Sequence, residues 1–379
     1  MICSGPTSLD WKVSALGGLG MTKMRVLLSG WGLVVTMMTT ASWALTIKSG
    51  DLQQYLATIE YGEKDDAIWQ QPSPQNLIDF ASAFDHLLAG DYMLADQFAA
   101  NTGYQVVEYT DTAHGASQKF YLLREINPVP SPDARGGGTY VLNPQGSAVA
   151  LQAPHPISDL YTGAQAIDAL FRVAPRITMF AGTHRKSAIG DSPFTGDHRA
   201  SDVVHGVDNF FYVAHQRISL ERLDTVFVQL HGFGSESLRK LKMQCDVKTQ
   251  RLINLSEGVN YPTYPAAVSL MHALRRRIDA DRKLKVCVFS NDTSSLGGTT
   301  NSTGRFTNGS TDPCSKNAAV SSIRFVHIEQ SYQVRSDFRD SLVTHLRAAI
   351  DDYFLNNQTK IRESEIPTPN RLAVEALAW

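Results

Sequence analysis

The chain has 379 residues, 43% hydrophobic and 19% charged, with 35 Lys and Arg against 37 Asp and Glu. That size and composition suit a globular protein with a sizeable core, built as one large domain or two smaller ones. A net charge of −2 and a pI of about 6.6 exclude an overall basic field of the kind that binds nucleic acid or anionic membrane.

In chain order, Lys23 and Arg25 precede an uncharged run over 26–47, where Ser42-Trp43-Ala44 sets small residues at the −3 and −1 positions of a cut after Ala44. A basic start, an apolar middle and a small-residue cleavage site make a secretory signal. Residues 1–44 are expected to be that signal, with 1–20 upstream of a true start at Met21 or Met24. An uncleaved anchor is the alternative, because the run is about long enough to span a bilayer. Either way the folded part is expected outside the cytoplasm, secreted or periplasmic. Beyond the cut, Cys245, Cys287 and Cys314 allow one internal disulfide and leave one thiol over. Cys287–Cys314 is the expected pair, tying a strand to the loop after it. The spacings match no cysteine-type zinc site.

From 52 to 100 the pattern is helical, with Ser73-Pro74 as a helix start and Gly90 as a stop. The alternating segments 104–109 (YQVVEY) and 119–124 (KFYLLR) predict strands, and 127–138 a loop. Strand and helix then alternate: strands over 148–153, 177–181, 225–230, 284–289 and 323–328, and helices over 164–173, 264–278 and 336–353. The stretch SDVVHGVDNFFYVAHQR also reads as helix, with His205 and His215 packing or capping. This rhythm predicts an α/β fold, three-layer α/β/α with a mostly parallel, mixed sheet over 139–360. A smaller α+β segment over 45–138 precedes it, and 361–379 form a tail.

In such sheets chemistry gathers beyond the carboxyl ends of the strands. The residues just past the predicted strands are His155 and Asp159, then His184 and Arg185, then His231 in HGFG, and finally Glu329. A catalytic zinc takes three N or O ligands and keeps one position open. His155, Asp159 and His231 supply two imidazoles and a carboxylate, a set suited to zinc. Glu329 is then the group to move protons. Each has a plainer alternative. His155 and His231 could be turn residues, Asp159 the cap of the next helix, Glu329 a partner of Arg335 or Arg324, and His184-Arg185 a surface turn. His86, His114, His198, His272, His327 and His345 are read as structural or exposed. The loop 296–309 (LGGTTNSTGRFTNG) carries Asn301 and Arg305, and an arginine fork matches a substrate carboxylate. Its alternative is a solvated surface loop.

PHPISDLYTG, LHGFG and IEQS together resemble the zinc carboxypeptidase superfamily, over about 148–349. Within it the likeness is to poly-γ-glutamate hydrolases, with N-formylglutamate amidohydrolases and aspartoacylases as relatives. The resemblance implies His155, Asp159 and His231 as zinc ligands and Glu329 as the base. It also implies an Asn and an Arg holding a substrate carboxylate, here Asn301 with Arg305 or Arg185. The spacing departs from the family's common His-x-x-Glu, being His-x(3)-Asp. The resemblance does not extend to residues 45–138.

The expected function is an exported zinc-dependent hydrolase that cleaves an amide or peptide bond near a free carboxylate. Its substrates would be small peptides or acyl-amino acids, including γ-glutamyl polymers or peptidoglycan peptides. No nucleic acid and no stable membrane insertion after signal cleavage are expected. A non-catalytic peptide- or glycan-binding protein is one alternative. A serine esterase is another, although GFGSES (232–237) only approximates the Gly-x-Ser-x-Gly elbow.

Overall fold

The computed structural model describes residues 44–361, except 195 and 261–268. Apart from Ala44 and Ile361, the expected signal and tail lie outside the described residues, as does the start of the helix predicted over 264–278. Among the described residues no helix is long and apolar enough to cross a membrane.

The chain opens with β1 (Thr46–Gly50) and the helices α1 (Leu52–Ala57), α2 (Pro74–Ala89) and α3 (Tyr92–Ala100). Then come β2 (Tyr104–Asp111), β3 (Gln118–Glu125), β4 (Thr139–Leu142), β5 (Ser147–Ala153), α4 (Thr162–Val173) and β6 (Pro175–Phe180). The middle holds α5 (Phe210–Glu221), β7 (Val226–Gly232), α6 (Ser235–Gln244), β8 (Leu252–Ser256), α7 (Leu270–Asp281) and β9 (Lys285–Val288). Last are α8 (Ser302–Thr307), β10 (Phe325–Gln330), α9 (Tyr332–Ser336) and α10 (Arg339–Ile361).

The ten strands of the described residues join one mixed sheet in the order β1-β2-β3-β4-β6-β5-β7-β10-β8-β9. Five neighbouring pairs are parallel, including the central β6-β5-β7-β10 run, so these four strands end at the same edge. Strands β1–β3 of the 45–138 segment continue this sheet through the antiparallel β3–β4 pairing.

Period-two alternation buries both faces of the central strands. Val149, Leu151, Val226, Val228, Leu230, Val326 and Ile328 pack under α1, α4, α7 and α10. Ala150, Phe227 and Phe325 face the other way, against α2, α3 and α5. The fold is therefore α/β, with helices on both sides of a mostly parallel mixed sheet.

Local chemistry accounts for the element ends. Ser73 accepts from the N–H of Asn76 in a capping box, and Gly90 closes α2 at φ +84, where a Cβ would be strained. Several segments differ from expectation. Only the second half of SDVVHGVDNFFYVAHQR is helical, because Asn209 accepts from the N–H of Tyr212 and starts α5 there. The closing helix expected over 336–353 starts later, at Arg339, and the separate short helix α9 precedes it, with the chain turning at Asp337–Phe338 between the two. The loop over 296–309 is not a solvated surface, because Asn301 caps the short buried helix α8 inside it.

The expected Cys287–Cys314 disulfide is also corrected: Cys287 on β9 is bonded to Cys245 at the end of α6. That bridge closes a separation of 42 residues. No free cysteine remains among the described residues.

Candidate metal centre

Strand register sets the chemistry. On the face turned toward α5, β5 carries Ala150 then Gln152, β7 carries Phe227, Gln229 and His231, and β10 carries Phe325, His327 and Glu329. Gln152 lies beside Gln229, Gln229 beside His327, and His231 beside Glu329. Apolar rings at the base thus give way to amides, and then to titratable groups at the carboxyl edge.

Beyond β5 the chain makes a tight turn, in which the carbonyl of His155 accepts from the N–H of Asp159 (3.0 Å) and from Thr162 Oγ1 (3.3 Å). This turn brings both side chains back over the strand ends. Asp159 Oδ2 lies 3.3 Å from His155 Nδ1 and 3.4 Å from His231 Nδ1, and accepts from the N–H of Gly232 at 3.0 Å. Asp159 is not the cap of α4. The residue at its N-cap is Tyr161, which has φ +74 and makes no side-chain cap bond.

The remote nitrogens of both imidazoles are anchored. His155 Nε2 meets Asp202 Oδ1 at 3.0 Å, and His231 Nε2 meets Gln229 Oε1 at 3.1 Å. Gln229 has one consistent orientation. Its Nε2 donates to Gln152 Oε1 (2.8 Å) and Thr303 Oγ1 (2.7 Å), so its Oε1 accepts from Asn301 Nδ2 (2.7 Å) and from His231. The network therefore assigns the His231 proton to Nε2 and leaves the Nδ1 lone pair facing the Asp159 carboxylate. An acceptor facing an acceptor is resolved by a cation between them. Anchored outer nitrogens with inner nitrogens converging on a carboxylate are the arrangement of metal-bound histidines. One ligand atom from each of His155, Asp159 and His231 lies within 4.8 Å of the other two. Two imidazoles and a carboxylate so placed could hold a metal ion.

Burial and charge tune each group. Burial works against charge on His155, but Asp202 and Asp159 outweigh it and raise its pKa to about 9. Burial pushes the Asp159 carboxyl up, and the charge and hydrogen bond of His155 lead in reversing this, so that it lies well below the usual range. Burial lowers His231 to about 4. Glu329 is raised to about 8, first by burial and then by the charge of Asp159. Its Oε2 and the Nδ1 of His327 are buried without a hydrogen-bond partner, and its Oε1 is 3.9 Å from His327 Nε2.

Glu329 pairs with neither arginine offered as an alternative. Arg324 donates to the carbonyls of Thr225, Ser219 and Arg222. Arg335 donates to Leu160 O (2.7 Å) and Phe233 O (3.5 Å), which ties together the loops after β5 and β7. Its guanidinium lies against Gly232, where an added Cβ would fall 2.3 Å from Arg335 Cζ. Gly232→Ala is expected to displace Arg335, loosen the Asp159 turn and lower stability by about 1–3 kcal/mol in chemical denaturation. An unchanged midpoint would contradict this role for the glycine.

The substrate-binding expectations divide. Arg185 stands at the rim, 40% exposed at its side chain, with Nη1 3.8 Å from Asp159 Oδ1. His184 is a turn residue whose Nδ1 accepts from the N–H of Lys186. Arg305 is not brought to the cluster. It is buried, donates to the carbonyls of Thr299, Pro313 and Cys314 and to Asn317, and so holds its own loop together. Asn301 is also buried, and acts on His231 through Gln229 rather than on a ligand.

Four residues went unassigned to the site in the sequence, although the structure gathers them there: Asp202, His198, His205 and His327. The spacing His-x-Glu at 327–329 was the available signal, since alternate strand residues share a face. A cavity of about 320 Å³ lined by Gln70, Glu125, Asp133 and Arg135 shares no residue with this cluster and holds none of its imidazoles.

No family model matches the chain, and no curated protein matches it. Among solved structures, two crystal structures of variants of the esterase rPPE are 13% and 14% identical, with TM-scores of 0.15 and 0.16. Each comparison covers 48% of this chain and 57% of the other, so the match spans little more than half the length of those proteins. Likeness at that level assigns neither fold nor function.

Proposed function

We propose that the protein is an exported zinc-dependent hydrolase that cleaves an amide or peptide bond near a free carboxylate. The observation that carries this reading is the convergence of His155 Nδ1, Asp159 and His231 Nδ1 beside an uncompensated buried glutamate. His155, Asp159 and His231 would hold the zinc, which when bound supplies a Lewis acid that polarises a carbonyl and acidifies water. Asp202 and Gln229 fix the two imidazoles in the orientation that presents Nδ1. Glu329 takes the proton from the attacking water and delivers it to the leaving amine, a task suited to a carboxyl whose pKa lies near neutrality. Arg185 orients the substrate carboxylate with a charged fork that is still open to solvent. Tyr161 and Tyr332, half exposed with hydroxyls 3.5 Å apart, flank the ligand turn and the base strand and offer aromatic surface to the rest of the substrate.

The Cys245–Cys287 disulfide supports export, since such bonds persist in oxidising compartments. The serine esterase alternative finds no support at GFGSES. Ser235 and Ser237 make no hydrogen bond to a histidine among the described residues, and Ser235 is exposed at the start of α6. A non-catalytic binding protein has no need of a buried base beside a ligand set.

Metal analysis of purified protein tests the proposal together with turnover of acyl-amino acids and γ-glutamyl peptides. His155→Ala and His231→Ala are each expected to lose the ion of this cluster and all measurable hydrolysis. Hydrolysis that survives in either variant would remove the metal from the mechanism.

A further inference from the structure

The segment from Ala181 to Asn209, between β6 and α5, carries Arg185 and Asp202 to the cluster. Its described residues contain no helix or strand, only isolated bridges at Thr183 and between Asp191 and Arg199. A segment this long without regular structure needs another means of keeping its shape.

Within it three ligand-type side chains meet. His198 Nδ1 lies 3.3 Å from Asp202 Oδ2, and His205 Nδ1 lies 3.1 Å from Asp202 Oδ1. One ligand atom from each residue falls within 4.8 Å of the other two. His205 Nδ1 is buried and makes no hydrogen bond, although it lies this close to Asp202. Its Nε2 faces Thr300 Oγ1 at 3.3 Å, and a proton on Nε2 donated there leaves the Nδ1 lone pair for a cation. Both histidines are partly exposed, at 26% and 17% of their side chains, which gives an ion a route in and a place for water.

We propose that His198, Asp202 and His205 bind a second divalent metal ion, of the zinc class, that holds this segment in shape beside the first cluster. Two imidazoles and a carboxylate favour zinc over magnesium or calcium, which prefer oxygen ligands. The two rings stack at 3.7 Å, so one turns about its side-chain torsions when both lone pairs engage the ion. The sites are joined through Asp202, whose Oδ1 also meets His155 Nε2. An ion on Asp202 draws electron density from that contact, so occupancy of the second site adjusts how firmly His155 is held in the first. The proposal does not depend on Glu329 or on any hydrolytic activity.

Zinc stoichiometry tests it. The full chain, loaded with zinc by dialysis and freed of loose metal, is expected to carry two ions per chain. The double variant His198→Gln with His205→Gln is expected to carry one, and His231→Ala also one. Limited proteolysis is expected to cut within 181–209 in the metal-free chain and in the double variant, while zinc-loaded wild type resists. One ion per wild-type chain, kept by the double variant and lost in His231→Ala, overturns the second site and leaves the hydrolase reading standing. No ion in wild type overturns both. Should the double variant fail to fold by circular dichroism, the wild-type count decides alone.

Discussion

Replacing Glu329 by glutamine is expected to lower turnover by about 10²–10⁴-fold while leaving the zinc content unchanged. Glutamine has the shape of the carboxylate but cannot take a proton from water, so only the proton-transfer step is removed. The three ligand side chains, His155, Asp159 and His231, are untouched. The pocket itself already favours an uncharged group, since burial and the Asp159 charge hold Glu329 at about 8. No salt bridge to an arginine or lysine is broken. The variant should therefore fold as stably as the parent, so lost activity cannot be assigned to misfolding. The measurement pairs steady-state kinetics with metal analysis and a thermal melt. Turnover within a few-fold of wild type would remove Glu329 as the base and leave His327, its neighbour on the same face of β10, as the next group to test.

The layers of the fold were legible because alternation and helical spacing mark each central element, and the four parallel strands β5, β6, β7 and β10 carry apolar residues on both faces. His155, Asp159, His231 and Glu329 were legible for a related reason, since strand ends in such a sheet share an edge. The residues that hold them were not. Asp202 lies 47 positions from His155 in sequence, in a segment without periodicity, and only its folding over the strand ends makes the contact. Arg305 shows the converse. An arginine in a Gly- and Thr-rich loop has the composition of a ligand clamp, but sequence cannot reveal that three backbone carbonyls already occupy its donors. The Cys245–Cys287 pairing was hidden similarly, because it depends on how α6 packs beside β9 rather than on spacing.

Zinc affinity of the first cluster is expected to rise steeply with pH between 6 and 8. In the metal-free fold His155 titrates at about 9 and Glu329 at about 8, so near neutrality both carry a proton. A metal at this cluster takes the place of the His155 proton, and its charge expels the one on Glu329. Each displaced proton makes apparent affinity climb about tenfold per pH unit until its pKa is passed, hence up to about a hundredfold per unit for two. His231, lowered to about 4, is already neutral and adds nothing in this range. Competition against a chelator of known affinity, repeated across pH, measures the slope, and Glu329→Gln should reduce it by one proton. The metal-free fold should show the opposite trend in stability. Both groups have folded pKa values above their ordinary 6.5 and 4.5, so their stabilisation is complete below those values and fades as pH rises toward 8 and 9. Zinc-loaded protein should gain stability over the same interval because its ion binds more tightly. An affinity that does not change with pH would mean that binding displaces no proton from His155 or Glu329, so that the ion measured does not sit at this cluster.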